Sequence, residues 1–166
     1  ERPVYSLVVR MVRNPTVAED LAQEAFIKAF HALGSYDPRY KFSSWIFKIS
    51  NNLTIDHLRK RQLDTVSIHG APDATSGEEQ ERTRLVVADG GENPEEYTAN
   101  RELGGQIEEA ISRLRPEYRT AILLRHVEGR SYEEVAEIME VPLGTVKTYI
   151  HRGRHELKEL LQGVAA

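Results

Sequence analysis

Residues 131–161 carry two helical patterns separated only by V-P-L-G, and this break constrains the fold more than any other feature of the chain. Ser131 and Glu134 make a capping box, S-x-x-E, that starts a short helix over 131–140. Its Tyr132, Val135, Ala136 and Met139 face a core. Pro142 and Gly144 then interrupt the pattern. A second helix over 145–161 aligns Val146, Ile150, Gly153, Leu157 and Leu160 on one face. Two helices joined by so short a turn cross steeply, which is a helix-turn-helix. Gly153 on the apolar face permits close packing on a neighbouring helix.

The opposite stripe of the second helix holds Lys147, His151, Arg154, His155 and Lys158, with Thr148 and Arg152 beside it and Thr145 at its start. Such a helix fits the DNA major groove, where Arg and Lys read guanine edges and Thr meets thymine methyls. Its N-terminal amide groups and dipole also favour phosphate. The plainer alternative is a helical hairpin with a solvated basic face. His151 and His155 stand at i, i+4 without an evident third metal ligand.

Helical spacing recurs through the rest of the chain, and no strand of any length stands out. Val4, Leu7, Val8 and Met11 mark a helix that Asn14-Pro15 breaks. Thr16 with Glu19 resembles a capping box for the next helix. That helix sets Ala18, Leu21, Ala22, Ala25, Phe26, Ala29, Phe30 and Leu33 on one face and ends at Gly34. After the loop SYDPRYKF, a helix runs from about Ser43 to Arg61 with Ile46, Ile49 and Leu53 inward. Another begins near Glu96, with Leu103, Ile107, Ala110, Ile111 and Leu114 inward, and Pro116 opens one that ends at Gly129. The expectation is an all-α chain of two small helical domains, 1–62 and 98–166. A flexible acidic linker over 63–97 joins them.

Charge follows the same division. The net charge of −4 hides ten Lys+Arg against six Asp+Glu in residues 1–62 and two against nine in residues 63–100. In the first domain, Asp20, Gln23, Glu24 and Ile27 form an acidic stripe with an exposed isoleucine, opposite a complete core face. It reads as a solvated face or as a docking surface for a basic or amphipathic helix. Lys48, Asn52, Asp56 and Arg59 form a second stripe, preceded by Tyr36, Tyr40, Lys41 and Phe42. Aromatics interleaved with cations suit single-stranded DNA, with rings on bases and cations along phosphates. Trp45, the only tryptophan, serves either as a wedge that shapes the loop or as a stacking platform.

Taken together, these residues resemble the extracytoplasmic-function (ECF) class of bacterial sigma-70-family factors over nearly the whole chain. AEDLAQEAFIKAF resembles region 2.2, which docks on a coiled coil of the polymerase β′ subunit. SYDPRYKFSSWIFKISNNLTIDHLRKR resembles regions 2.3 and 2.4, which melt and read the −10 element. RLRPEYRTAILLRHVEGRSYEEVAEIMEVPLGTVKTYIHRGRHEL resembles region 4, which binds the −35 element.

The resemblance implies that Asp20, Gln23, Glu24 and Ile27 meet core RNA polymerase. It implies that Tyr36, Lys41, Phe42, Trp45, Lys48, Asn52, Asp56 and Arg59 meet the single-stranded −10 element. It implies that Thr145, Lys147, Thr148, His151, Arg152, Arg154 and His155 meet duplex −35 DNA. It also implies the polymerase β and β′ subunits and an anti-sigma factor as partners, a cytoplasmic location without membrane contact of its own, and no cofactor. The linker would thread toward the polymerase active-site and RNA-exit channels, and would compete for the factor's own basic surfaces. The family begins with a further stretch of region 2, so a segment upstream of Glu1 is expected.

An autonomous helix-turn-helix regulator is the alternative function, but it leaves residues 16–61 without a role. Enzyme signatures are missing: there is no P-loop, G-x-G-x-x-G, H-E-x-x-H or G-x-S-x-G. The chain has no cysteine, which excludes disulfides, thiolate metal sites and a cysteine nucleophile.

Overall fold

The computed structural model describes residues 1–67 and 94–164, and every regular element among them is helical. In chain order these are α1 (Arg2–Val12), α2 (Pro15–His31), α3 (Phe42–Ser67), α4 (Pro94–Arg113), α5 (Pro116–Ile122), α6 (Tyr132–Met139) and α7 (Leu143–Val164). A 3-10 turn, Leu33–Ser35, follows α2, and a π turn, Leu123–Val127, continues α5. No helix among the described residues is long and apolar enough to cross a membrane. Most of the expected linker lies outside the described residues. Of the 63–97 segment, 63–67 extends α3 and 94–97 begins α4.

Helices α1, α2 and α3 pack on one another through Leu7, Val8, Met11, Ala18, Leu21, Ala22, Ile46 and Phe47, all buried. The step from α1 to α2 spans only Arg13 and Asn14 and needs an abrupt reversal. Arg13 supplies it in the left-handed region at φ 55°, with its N–H bonded to Val9 O. Asn14 then caps α2, its side chain accepting from Val17 N–H at 3.0 Å, and Pro15 takes the first turn. The expected Thr16 cap is therefore displaced by two residues. Asn14 is the first residue whose side chain can reach back to a free amide, and proline needs none.

Two further expectations about facing are corrected. Phe30 and Leu33 are 75% and 52% exposed, and Leu103 is 53% exposed. The buried stripe of α2 is the narrow one of Ala18, Leu21, Ala22, Ala25 and Ala29. Residues at the margin of that stripe are lifted clear of the core. Helix α3 carries the opposite surprise: Ser44, Ser50, Asn51 and Thr54 are buried. Ser50 and Thr54 hydroxyls donate to Phe47 O and Ser50 O, which satisfies them within the helix.

In the second half, the capping box of α6 forms as its spacing requires. Ser131 Oγ accepts from Glu134 N–H at 3.1 Å, and Glu134 Oε2 accepts from Ser131 N–H at 2.8 Å. Gly129 lies at φ 65°, which a glycine adopts without penalty. Val135, Ile138, Val146 and Ile150 are fully buried, and each contributes about 1.5–3 kcal/mol of apolar burial.

Helix α7 crosses α5 at Gly153. A Cβ there would lie 3.0 Å from Ile122 Cγ1 and 3.3 Å from Tyr118 Cβ. Gly153→Leu is therefore expected to destabilise the protein by about 1–3 kcal/mol through overpacking. A lower urea midpoint at unchanged slope would register it, and an unchanged midpoint would mean that α5 and α7 can separate freely.

The two halves share one continuous core. The buried cluster runs from Val4 and Phe47 to Leu114, Leu124 and Val146, and α1 and α3 pack against α5 and α6. Arg119, at the start of the second half, donates to Met11 O at 2.6 Å, to Leu114 O at 3.0 Å and to Ser112 O. Burial, followed by the charge of Arg13, holds its pKa below the ordinary arginine value. Arg10 and Arg13 of the α1 end pair with Glu108 and Glu109 of α4 at 2.9 and 2.6 Å.

Candidate nucleic-acid interface

The turn between α6 and α7 is made by a residue that is not glycine. Glu140 stands at φ 56° with its N–H bonded to Ala136 O. Pro142 O then accepts from Thr145 and Val146 N–H, which starts α7. With Val146, Ile150 and Gly153 buried, the outward face of α7 is fixed by helical phase. Lys147, Thr148, His151, Arg152, Arg154 and His155 are all exposed there, and Thr145 is half-buried at the N-terminus. Thr148 Oγ1 donates to Gly144 O at 3.0 Å, and His155 lies 3.7 Å from Glu159. His126 of the π turn is exposed and close enough to feel the charge of Arg154. Partial burial, then the charges of Arg154 and Arg125, lower its pKa and favour the neutral ring.

The 36–42 loop and the start of α3 bring three aromatic rings together. Tyr36 stands 5.5 Å from Phe42 and 5.1 Å from Trp45, and Phe42 stands 5.6 Å from Trp45. The Tyr36 hydroxyl donates to Tyr40 O at 2.7 Å, which closes the loop. Trp45 is half-buried against the core while Tyr40 and Phe42 remain about half exposed. The tryptophan thus packs beneath the loop, and Tyr40 and Phe42 are its more exposed rings. Farther along α3, Asp56 and Arg59 form an exposed pair at 3.6 Å.

The cations and the amide of this surface are already engaged. Lys41 Nζ lies 2.8 Å from Glu134 Oε1, and Lys48 Nζ lies 3.0 Å from Glu140 Oε1. Asn52 Nδ2 donates to Glu140 Oε2 at 3.2 Å. The hydrogen bond from Lys41, then the one from Ser131 N–H, holds the Glu134 carboxyl below its usual range; Lys48 and then Asn52 do the same for Glu140. Arg130, just before α6, donates to Ser43 Oγ at 2.8 Å and stacks 4.8 Å from the Phe47 ring centre. No spacing in the sequence links residues so far apart, and opposite charge was the sole available signal.

The stripe Asp20, Gln23, Glu24 and Ile27 stands exposed along α2, with Glu24 paired to Lys28 at 3.2 Å. Phe30 and Leu33 prolong it, although helical periodicity alone assigns them to the core. Acidic residues bordering 58% exposed Ile27 and 75% exposed Phe30 make an amphipathic ridge on the side of α2 away from the core.

Sequence comparison accounts for both halves. Residues 1–63 match the sigma-70 region 2 family model, and residues 104–157 match the model for sigma-70, region 4. The ECF RNA polymerase sigma factor SigW of Bacillus subtilis is 40% identical over 162 residues, which cover 96% of this chain and 83% of that protein. The chain belongs to the ECF sigma factors. The ECF RNA polymerase sigma-E factor of Escherichia coli is 34% identical across 98% of this chain and 82% of its own length. Among solved structures, the sigma factor RpoE of Bartonella quintana, in complex with the anti-sigma factor NepR, superposes with a TM-score of 0.69 at 25% identity. That match covers 96% of this chain and 89% of RpoE.

As an ECF sigma factor, the protein is a promoter-recognition subunit of RNA polymerase. The autonomous-regulator alternative is not favoured, because it gives no role to residues 1–63, and those match sigma region 2.

Proposed function

We propose that three surfaces divide the work of this sigma subunit between residues 1–62 and residues 98–166. The outward row of α7, from Thr145 and Lys147 through Thr148, His151, Arg152, Arg154 and His155, holds the duplex −35 element. The aromatic loop with Lys41, Phe42, Lys48, Asn52, Asp56 and Arg59 takes the unstacked −10 strand, with Tyr36 and Trp45 supporting the loop. Unstacking a base costs a few kcal/mol, which contacts to the flipped base offset. The ridge Asp20–Gln23–Glu24–Ile27 docks on core polymerase. The subunit itself is non-catalytic and works in the cytoplasm, with core polymerase, promoter DNA and an anti-sigma factor as partners.

The observation that carries this reading is the α7 helix, whose one face is buried while its cations and Thr148 stand in a single exposed row. Arg152→Ala tests it in holoenzyme on a promoter library. A loss of about 1–3 kcal/mol with relaxed preference at one −35 position is expected. A uniform loss across sequences with a shallower salt slope would assign Arg152 to phosphate instead.

A further inference from the structure

We infer that the free subunit masks its own −10 surface with the carboxylates of Glu134 and Glu140 while leaving its −35 helix open. The inference rests on the assignment of Lys41, Lys48 and Asn52 to the −10 strand. Those three side chains are the groups that residues 98–166 occupy. Glu134 Oε1 sits 2.8 Å from Lys41 Nζ, and Glu140 Oε1 and Oε2 sit 3.0 and 3.2 Å from Lys48 Nζ and Asn52 Nδ2. Three oxygens of two carboxylates, at hydrogen-bond distance from two ammonium groups and an amide, stand where strand phosphates and a base edge would approach. A carboxylate and a phosphodiester compete for such donors by the same charge-assisted bonds.

Exposed ion pairs are weak individually. Here they are held in register by groups that are not exposed. Arg130 sits between Ser43, Phe47 and Glu134, and Arg119 ties the end of α1 to α4 and α5. The competitor is tethered, so its effective concentration exceeds that of free DNA.

Glu134 does double duty, since its other oxygen completes the α6 capping box. Glu140 reaches Lys48 from a left-handed backbone position that projects its side chain off the end of α6. The outer face of α7 is treated differently. Among the described residues, no hydrogen bond or ion pair joins Lys147, His151, Arg152 or Arg154 to α1, α2 or α3, and all four are exposed. The mask is therefore selective. Separation of the two halves would uncover the −10 surface without changing the −35 helix.

The double variant Glu134→Gln, Glu140→Gln tests this in the full chain without polymerase. Glutamine at 134 keeps the capping box, so α6 is retained. Two fluorescent probes are titrated, a short random-sequence single strand and a random-sequence duplex. The variant should bind the single strand about fivefold to tenfold more tightly, with duplex affinity unchanged. Adding Lys41→Ala and Lys48→Ala should remove that gain. An equal gain on both probes would reduce the effect to general charge and overturn selective masking.

A gain that survives loss of Lys41 and Lys48 would overturn the −10 assignment itself, and the mask with it. The same single strand titrated onto holoenzyme separates the two ideas. If the free variant shows no gain, yet Lys41→Ala, Lys48→Ala weakens holoenzyme binding, the −10 assignment stands and the mask is wrong.

Discussion

Arg119→Ala should lower the stability of the free protein by about 3–5 kcal/mol, and the loss should centre on the junction between the two halves. One guanidinium serves Met11 O, Leu114 O and Ser112 O, which are carbonyls at the ends of α1 and α4. Hydrogen bonds from a charged donor contribute about 1.5–3 kcal/mol each, and the cost of burying the charge is subtracted from that sum. Alanine would leave these carbonyls without their donor and open space beside buried Thr120 and Met11. Lysine should recover less than half of the loss, because an ammonium on a flexible stem cannot fork to carbonyls on two sides. Urea unfolding measures both variants. An alanine variant within about 1 kcal/mol of the parent would show that the apolar core alone holds α1 against α5.

Charge reversal on the α2 ridge should produce the largest functional change. Asp20→Lys with Glu24→Lys places two cations beside Ile27 and Phe30 without touching Ala18, Leu21, Ala22, Ala25 or Ala29, which carry the packing. Helix content should be unchanged and unfolding free energy should stay within about 0.5 kcal/mol of the parent, as for surface changes away from the core. Affinity for core polymerase should fall about a hundredfold, since like charges opposed across an interface cost several kcal/mol. Phe30→Ala should also weaken binding, with the loss in the dissociation rate, as expected when an apolar anchor is removed. Normal core binding by the double reversal, or its unfolding, would remove the ridge from the polymerase interface.

Much of the local structure is legible in the chain because its causes lie within a few residues of each other. Ser131 and Glu134 cap α6 because three residues is the span of that exchange. Pro142 and Gly144 end one helix, and the phase of Val146, Ile150 and Gly153 then dictates which way Lys147, His151 and Arg152 face. The close approach at Gly153 and the exposed stripe of Asp20, Gln23, Glu24 and Ile27 follow from the same period.

Periodicity was weaker wherever a neighbour's distance mattered. The buried stripe of α2 is narrow, formed by Ala18, Leu21, Ala22, Ala25 and Ala29, so Phe30 and Leu33 fall outside it, and Leu103 is exposed although its spacing matches that of the inward residues of α4. Asn14 rather than Thr16 caps α2, because the choice depends on where the reversal at Arg13 aims the chain.

The helices, their breaks and the orientation of each polar face relative to its own apolar stripe are written in the chain, since backbone period and capping chemistry set them. Packing between distant elements is what makes the two halves bury a common core, sets partly buried Arg119 and Arg130 at their junction, and lays Glu134 and Glu140 on Lys41 and Lys48. The pairs that join the halves are 87 to 109 residues apart in the chain. Burial and charge complementarity bring such pairs together, and neither is written in local spacing.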